Sequence, residues 1–277
     1  AEVLLGPGRR AVIESPCYPG LRSILERRSC EIESVQVYAE GLPPENLPKD
    51  TDVVFTTPSH HCPTSVTMPL ARRKALLARA TENDFLVVED DYEFEMSFVS
   101  PPSPALKSLD KEGRVIHIGS FSKSLFPGLR LGYIVGSRAF IREARALRAA
   151  VLRHPPGHVQ RTAAYFMSLG HYDALIKRTA RALAARRQVM IEAIQSEGLQ
   201  IAGEGKGGSS FWMRAPEGTD TVQLTETLKA EGVLIEPGAA FFPENEKPSE
   251  YFRLAYSSIQ KERIPEGIAR IAHAVRV

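Results

Sequence analysis

The fold of this chain is decided by the stretch Ser120-Phe121-Ser122-Lys123-Ser124-Leu125-Phe126-Pro127-Gly128-Leu129-Arg130-Leu131-Gly132-Tyr133. An apolar run from Val115 to Ile118 precedes it and predicts a buried strand, and Arg130 to Val135 predicts the next strand. Pro127-Gly128 requires a turn between the two. The sequence therefore predicts a lysine in a serine-rich loop that follows one buried strand and leads into another.

The side chains of this loop suit a cofactor that carries both an aldehyde and a phosphate. The amine of Lys123 would form a Schiff base with the aldehyde. The hydroxyls of Ser120 and Ser122 and the guanidinium of Arg130 would hold the phosphate. The loop by itself leaves a second interpretation open, in which Lys123 and Arg130 are ordinary surface residues.

Two segments together resemble a known family. The Lys123 loop resembles the pyridoxal phosphate lysine segment of fold-type I aminotransferases, and Phe85-Leu86-Val87-Val88-Glu89-Asp90-Asp91-Tyr92 resembles their strand that ends in acids and a tyrosine. The resemblance implies that Asp90 pairs with the protonated pyridine nitrogen and that Tyr92 hydrogen-bonds the ring 3′-oxygen. The Asp-x-Tyr spacing departs from the Asp-x-x-Tyr of many aminotransferases. It is characteristic of the aminotransferase-like domain of MocR/GabR-type transcription regulators of the GntR family.

The same resemblance assigns two positions in earlier loops. Tyr18 matches the aromatic residue that stacks on the cofactor ring, the alternative being a turn tyrosine half-buried by its neighbouring prolines. Cys62 stands where aminotransferases carry an asparagine that hydrogen-bonds the ring oxygen, and Ser65 stands for a glycine. A thiol is a much weaker hydrogen-bond donor than an amide. The departure puts a normal catalytic cycle in doubt and fits MocR-type regulators, which lack the asparagine.

An arginine in the apolar run Tyr251 to Ser257 is the last candidate. Burying a guanidinium in such a strand is costly unless it faces a partner. The resemblance implies that Arg253 clamps the acid group of an effector by a bidentate contact; the alternative is an edge-strand arginine in water. His60-His61-Cys62 is not expected to bind a metal ion, because adjacent side chains rarely converge on one ion.

Composition limits the class of protein. The chain has 277 residues, of which 43% are hydrophobic and 25% charged, and its net charge of +2 gives no strong case for nucleic acid or an anionic membrane. The arginine-rich segment from Ser137 to Arg153 is accordingly expected to be a solvated or subunit-facing surface. Cys17, Cys30 and Cys62 form no CxxC pair, and no apolar run approaches the roughly 20 residues of a membrane span. We expect a soluble cytoplasmic chain with reduced thiols.

The resemblance also implies the architecture. We expect an α/β fold of the aspartate aminotransferase-like, fold-type I class, with a mixed, mostly parallel sheet in a large cofactor domain over 1–156. A linking helix and a smaller α+β domain are expected over 157–277, with the helical region from His158 to Gly198 interrupted near Gly170. Residues 1–8 are expected to be the tail of a helix.

One expectation concerns what lies outside the chain. The family's cofactor domain normally begins with a helix and a glycine-rich loop that donates backbone amides to the phosphate, and MocR-type regulators carry a winged helix-turn-helix still further upstream. Neither pattern is found in these residues. We therefore expect an N-terminally truncated piece of a longer protein.

The function that the resemblance implies is sensing. Pyridoxal phosphate on Lys123 would exchange its aldimine with an amine or amino-acid-like effector, whose carboxylate or sulfonate meets Arg253. The response would reach DNA only through an N-terminal domain absent from this chain, and the assembly would be a homodimer without a membrane partner. A catalytic aminotransferase is the alternative, and a degenerate scaffold that binds no cofactor is a third possibility.

Overall fold

Six strands form one mixed sheet in the computed structural model, which describes residues 1–244 and 248–276. The strands β1 to β6 are Arg10–Ser15, Glu31–Gln36, Val53–Thr56, Leu86–Asp91, Val115–Ser120 and Gly132–Val135. Their order is β2-β1-β3-β4-β5-β6, and every neighbouring pair is parallel except β5 with β6. The prediction of a mixed, mostly parallel sheet is confirmed.

Helices cover the central strands of this sheet, which explains why β1, β3, β4 and β5 have apolar residues on both faces. The helices α1 to α6 are Pro19–Glu26, Leu70–Glu82, Leu106–Leu109, Arg138–Leu152, Gly157–Ser168 and His171–Ser196. Alternate residues of β1 enter different cores: Val12 packs with Leu76 of α2, and Ile13 packs with Leu25 of α1. Each central strand therefore has two packed faces, and the register of the sheet is fixed by both.

A second, antiparallel sheet follows the helices. Its strands β7 to β10 are Gln200–Gly203, Ser210–Arg214, Glu236–Pro237 and Tyr251–Ala255, in the order β7-β8-β10-β9. The remaining helices are α7 (Thr221–Ala230) and α8 (Ile264–Ala274). The expected α+β arrangement of this part is confirmed. The two sheets lie on either side of the proposed boundary between 156 and 157, which itself stays a prediction.

The long helical region is interrupted where the sequence indicates. Helix α5 ends at Ser168 and α6 begins at His171, and Gly170 between them has a left-handed φ of +77°. Glycine adopts this conformation without steric strain. The prediction for residues 1–8 is wrong, because they form turns and no helix. Among the described residues, no helix combines the length and apolar character that crossing a membrane requires.

A fully buried arginine connects the loops behind the large sheet. Arg73 of α2 has no exposed surface, and its guanidinium donates to the backbone oxygens of Met68 (3.0 Å), Pro104 (3.1 Å) and Pro58 (2.8 Å). Its Nη1 also lies 3.7 Å from a carboxylate oxygen of Glu89, which is itself fully buried. One cation thus satisfies three carbonyls and one buried anion.

Replacing this arginine should destabilise the fold. Arg73→Met would leave the carbonyls of Met68 and Pro104 without a donor, whereas that of Pro58 would keep the backbone N–H of Met68. Glu89 would also lose its guanidinium, and we expect a loss of about 3 kcal/mol or more in the free energy of unfolding. Urea unfolding measures it, with Lys74→Met on the exposed face of the same helix as a control expected to stay within about 0.5 kcal/mol. A loss below about 1 kcal/mol in Arg73→Met would contradict this account.

Candidate functional site

A cavity of about 530 Å³ lies between the carboxyl ends of the large sheet's strands and the second sheet. Five of the residues that line it are candidate site residues from the sequence: Tyr18, Asp90, Tyr92, Lys123 and Arg253. A sixth, Cys62, stands where aminotransferases carry an asparagine. The structure therefore brings together side chains from five separate segments. Their roles stay predictions, but their convergence is a property of the fold.

Lys123 enters the cavity from the loop that follows β5. The backbone N–H of Leu125 donates to the oxygen of Phe121 (2.9 Å), and the N–H of Ser122 donates to the hydroxyl of Ser120 (3.1 Å). These bonds close a tight turn and leave the lysine side chain exposed toward the cavity. An amine presented in this way can react with a carbonyl compound that enters from solvent.

Asp90 lies at the end of β4 with its carboxylate facing the cavity. No described residue donates a hydrogen bond to it. Burial raises the pKa of Asp90 to about 6, and the charge of Glu14 adds to the effect while His117 opposes it. A buried carboxylate without a partner suits a ligand that carries a positive charge or an N–H at this point.

The two aromatic candidates, Tyr92 and Tyr18, both line the cavity. Tyr92 follows Asp90 in the chain, and burial raises the pKa of its hydroxyl well above the ordinary value, so that it stays a donor. Tyr18 is about half exposed and lies directly over Gly20, where a Cβ atom would be 2.5 Å from the tyrosine ring. Only glycine at position 20 allows this ring placement. The role of Tyr18 as a stacking residue stays a prediction.

The expected phosphate ligands lie beside the cavity and do not line it. Ser120 and Ser122 are half-buried, and Arg130 is exposed with a left-handed φ of +50°. Among the residues that the structure describes, the guanidinium of Arg130 makes one long contact, 3.5 Å, to the oxygen of Pro127. These three side chains share the loop of Lys123, so a phosphate bound near the lysine is within their reach. Their role stays a prediction.

Cys62 is fixed by a buried network that the sequence did not indicate. Its backbone N–H donates to the hydroxyl of Thr57 (3.3 Å), which in turn donates to the carboxylate of Glu14 (2.9 Å). Glu14 also lies 3.4 Å from the ring of His61, and this histidine together with the threonine donors outweighs burial and lowers the pKa of Glu14. Burial raises the pKa of the Cys62 thiol to about 12, so the thiol is neutral in the cavity.

The loop that carries Cys62 also bears on the metal question. His60 contacts the hydroxyl of Ser97 at 3.0 Å and His61 contacts that of Thr64 at 2.7 Å, while Cys62 faces the cavity. The three adjacent side chains have separate surroundings. In the same loop Ser65 has a left-handed φ of +62°, which is the conformation that favours the glycine expected at this position.

A different group has ligand-type atoms close together. Atoms of Glu89, Asp91 and His117 lie within 4.8 Å of one another. The oxygens of Glu89 already accept from the backbone N–H groups of Leu106 (2.6 Å) and Lys107 (3.1 Å), and His117 Nδ1 lies 2.9 Å away. The nearby guanidinium of the buried arginine supplies the positive charge. We interpret the group as a structural network behind Asp90.

Arg253 makes contacts that the sequence could not indicate. Its Nε donates to the hydroxyl of Ser210 at 3.0 Å, and its Nη1 donates to both carboxylate oxygens of Glu236, at 2.9 and 3.1 Å. The arginine side chain is 14% exposed and that of Glu236 is 53% exposed. The guanidinium that is expected to meet the acid group of an effector is thus paired with an acid of the chain itself, and its role toward an effector stays a prediction. The only sequence signal for Glu236 is an acid at the end of an apolar run, just before Pro237-Gly238.

Comparisons with known proteins agree with this geometry. The family model described as aminotransferase class I and II matches residues 1–271. The HTH-type transcriptional regulator TauR of Rhodobacter capsulatus is 60% identical over 277 residues, which are 100% of this chain and 57% of the regulator. Aromatic-amino-acid aminotransferase 1 of Thermococcus litoralis is 31% identical over 287 residues, 99% of this chain and 68% of that enzyme.

A solved structure shows the same fold. The crystal structure of Pyrococcus horikoshii kynurenine aminotransferase in complex with PMP has a TM-score of 0.93 and 31% identity, covering 99% of this chain and 71% of that one. The chain thus spans little more than half of the similar regulator and about two thirds of the similar enzymes.

The buried network behind Asp90 predicts a pH dependence of stability. Asp91 is 4% exposed, and burial together with the charge of Glu89 raises its pKa to about 7, against the opposing effects of Ser59, His117 and Arg73. The folded state therefore binds a proton that the unfolded state, with an ordinary pKa near 4, releases at lower pH. This contribution makes the protein less stable as the pH rises from about 4 to 7.

Asp91→Asn removes the titrating group and keeps an acceptor for Ser59. We expect the stability of the variant relative to the wild type to rise between pH 5 and pH 8 by about 2 kcal/mol, since each pKa unit corresponds to about 1.4 kcal/mol. Chemical unfolding at both pH values measures it, with Glu112→Gln on the surface as a charge-matched control. A pH-independent difference would contradict the raised pKa.

Proposed function

The chain belongs to the aminotransferase class I and II family, and from this premise we propose that it is the pyridoxal phosphate-binding, effector-sensing domain of a MocR/GabR-type transcription regulator. The observation that carries the proposal is the cavity in which Lys123, Asp90 and Arg253 meet while Cys62 takes the place of the asparagine. The 60% identity to a protein named as a transcriptional regulator supports it. The effector is an amine or amino-acid-like molecule.

The donor set of the cavity fits this cofactor. When bound, pyridoxal phosphate supplies an aldehyde that condenses reversibly with amines and a ring that withdraws electrons from them. Lys123 offers the amine, and the unpartnered carboxylate of Asp90 suits a protonated pyridine nitrogen. Tyr92 offers a hydroxyl and Tyr18 an aromatic face, while Ser120, Ser122 and Arg130 offer phosphate contacts.

The effector would be held from both sheets. Its amine approaches Lys123 on the large sheet, and its carboxylate or sulfonate meets the guanidinium of Arg253 on the second sheet. A ligand that contacts residues of both sheets stabilises the relative position of the two sheets in which it can make both contacts. Such a shift can reach a DNA-binding segment outside this chain, in the cytoplasm where DNA-reading regulators act.

The Cys62 thiol, in place of the asparagine of aminotransferases, favours effector sensing over catalytic turnover. Proton transfer at a substrate carbon requires a ring held at one tilt, and a misplacement of about 1 Å can cost a hundredfold in rate. The neutral thiol of Cys62 would donate only weakly to the ring oxygen of the bound cofactor, so Tyr92 would be the stronger donor to that oxygen. The second candidate function, a catalytic aminotransferase, is supported by the similarity to aminotransferases that the chain shares along most of its length.

Association into a homodimer forms part of the proposal. Strand β6 and the end of α4 have no buried residue, and they expose the apolar side chains of Tyr133, Ile134, Val135, Val151 and Leu152. Exposed apolar surface of this kind marks an interface with another chain segment or subunit.

The assignment of Lys123 predicts a spectroscopic result. The protein containing this chain, loaded with pyridoxal phosphate, should show a visible absorption band that Lys123→Ala removes, because the imine bond to the lysine is lost. Lys111→Ala, on the exposed surface, should keep the band. Circular dichroism confirms that both variants fold. A band that persists unchanged in Lys123→Ala refutes the assignment.

A sensing domain and a catalytic aminotransferase are expected to differ in whether they release keto acid repeatedly. Mixing the cofactor-loaded protein with candidate amino acids should change the visible spectrum without steady formation of a keto acid, and effector should alter binding to operator DNA. Chromatographic assay of the keto acid and a DNA mobility assay measure the two outcomes. Sustained transamination at roughly 1 per second or faster, a rate typical of enzymes, would replace the sensing proposal with the catalytic one.

A further inference from the structure

We infer that Glu236 is an internal occupant of the effector's acid site, which an acid-bearing effector must displace from Arg253 in order to bind. This inference rests on the proposed function, since it concerns how the effector reaches its clamp. Both side chains line the cavity, and both carboxylate oxygens of Glu236 accept from Nη1 of Arg253. The resting site therefore already contains a carboxylate.

The sheet itself sets up this contact. Glu236 of β9 is paired directly with Arg253 of β10, and Pro237 is paired with Phe252. Side chains of directly opposed residues stand on the same face and lie close together. The register is fixed by Gly238, where a Cβ atom would lie 2.4 Å from the backbone oxygen of Tyr251. Glu236 is held at the guanidinium by strand pairing and not by a chance surface contact.

Some of the N–H groups of Arg253 already donate hydrogen bonds, which limits how an effector acid can bind. A guanidinium has five N–H groups, and a bidentate acid uses either Nε with Nη2 or Nη1 with Nη2. Nε is engaged by Ser210 and Nη1 by Glu236, whereas Nη2 makes no hydrogen bond with a described residue. Each bidentate edge is thus half occupied. An acid on the Nε–Nη2 edge meets the hydroxyl of Ser210, and one on the Nη1–Nη2 edge lies against the carboxylate of Glu236. Two carboxylates on one guanidinium repel each other, which favours displacement of Glu236 by the incoming acid.

Glu236 is the partner that can leave. Ser210 is 4% exposed, and its backbone oxygen accepts from the hydroxyl of Ser65 at 2.9 Å, so it is fixed inside the second sheet. The side chain of Glu236 is 53% exposed and can turn into water. A partly exposed ion pair contributes little, about 1 kcal/mol or less. The exchange of one carboxylate for another is therefore accessible, but it weakens effector binding by the strength of the pair that is lost.

The internal carboxylate also selects among effectors. An amine without an acid group does not bind the guanidinium of Arg253, so it does not compete with Glu236 and its affinity does not depend on this residue. An amine that carries a carboxylate or a sulfonate competes with it directly, and the negative charge of Glu236 repels it as well. Removing the charge should tighten acid-bearing amines by about three- to tenfold, which corresponds to about 1 kcal/mol, and should leave simple amines unchanged.

The test compares the full-length, cofactor-loaded wild type with Glu236→Gln and Glu217→Gln by calorimetric titration. Gln keeps the size of the side chain, and Glu217 is an exposed acid of the same part of the chain that does not line the cavity. The ligands are 4-aminobutanoate, 2-aminoethanesulfonate, propylamine and propane-1-sulfonate. We expect Glu236→Gln to bind the three ligands with an acid group three- to tenfold more tightly, and Glu217→Gln to match the wild type.

Equal or weaker binding of the acids by Glu236→Gln would overturn the inference, because it would mean that Glu236 only orients Arg253. An equal gain for propylamine would overturn it too, since the effect would then be a general one. Propane-1-sulfonate has no amine and tests the clamp without any reaction at Lys123. If the wild type fails to respond to both amino acids while the variant still gains affinity for this sulfonate, the proposed function fails and the inference stands.

Discussion

Parallel pairing of β1, β3, β4 and β5 is the constraint on which the site depends. Parallel strands end at the same edge of a sheet, so the loops after them converge although they are far apart in the sequence. Tyr18 follows β1, Tyr92 follows β4 and Lys123 follows β5, and all three line one cavity. The apolar runs that force these strands into the interior are thus also what brings the chemistry together.

The end of β4 shows how strictly this constraint acts. Three acids follow one another, and because side chains alternate between faces, Glu89 and Asp91 join the buried network while Asp90 faces the cavity. A shift of register by one residue would exchange these environments. Glu89 is saturated by donors, whereas Asp90 has none from the described residues. The same residue types therefore serve stability on one face and remain available to a ligand on the other.

The sequence indicated what is local and missed what depends on pairing between distant segments. Lys123, Asp90 and Tyr92 belong to continuous motifs, so the resemblance of these motifs to a known family was enough to assign them to one site. Glu236 and Glu14 carry no motif, and their partners lie on other strands, so only the register reveals them. The prediction that residues 1–8 are the tail of a helix fails, because a local pattern is weak evidence over so few residues.

The exchange at Arg253 suggests how a chemically modest event becomes a signal. In the resting protein the carboxylate on the guanidinium belongs to β9, which is part of the same sheet as Arg253, so the contact transmits nothing to the large sheet. In the proposed bound state the carboxylate belongs to a molecule whose amine is held at Lys123.

The ion pair with the guanidinium of Arg253 is similar in the two states. What differs is whether the acid belongs to the second sheet or to the bound molecule. In the proposed mechanism such a ligand would change the relative position of the two sheets through its length, since only a molecule that spans the distance can satisfy both ends. The specificity of the response would then depend on the separation of amine and acid more than on the strength of either contact.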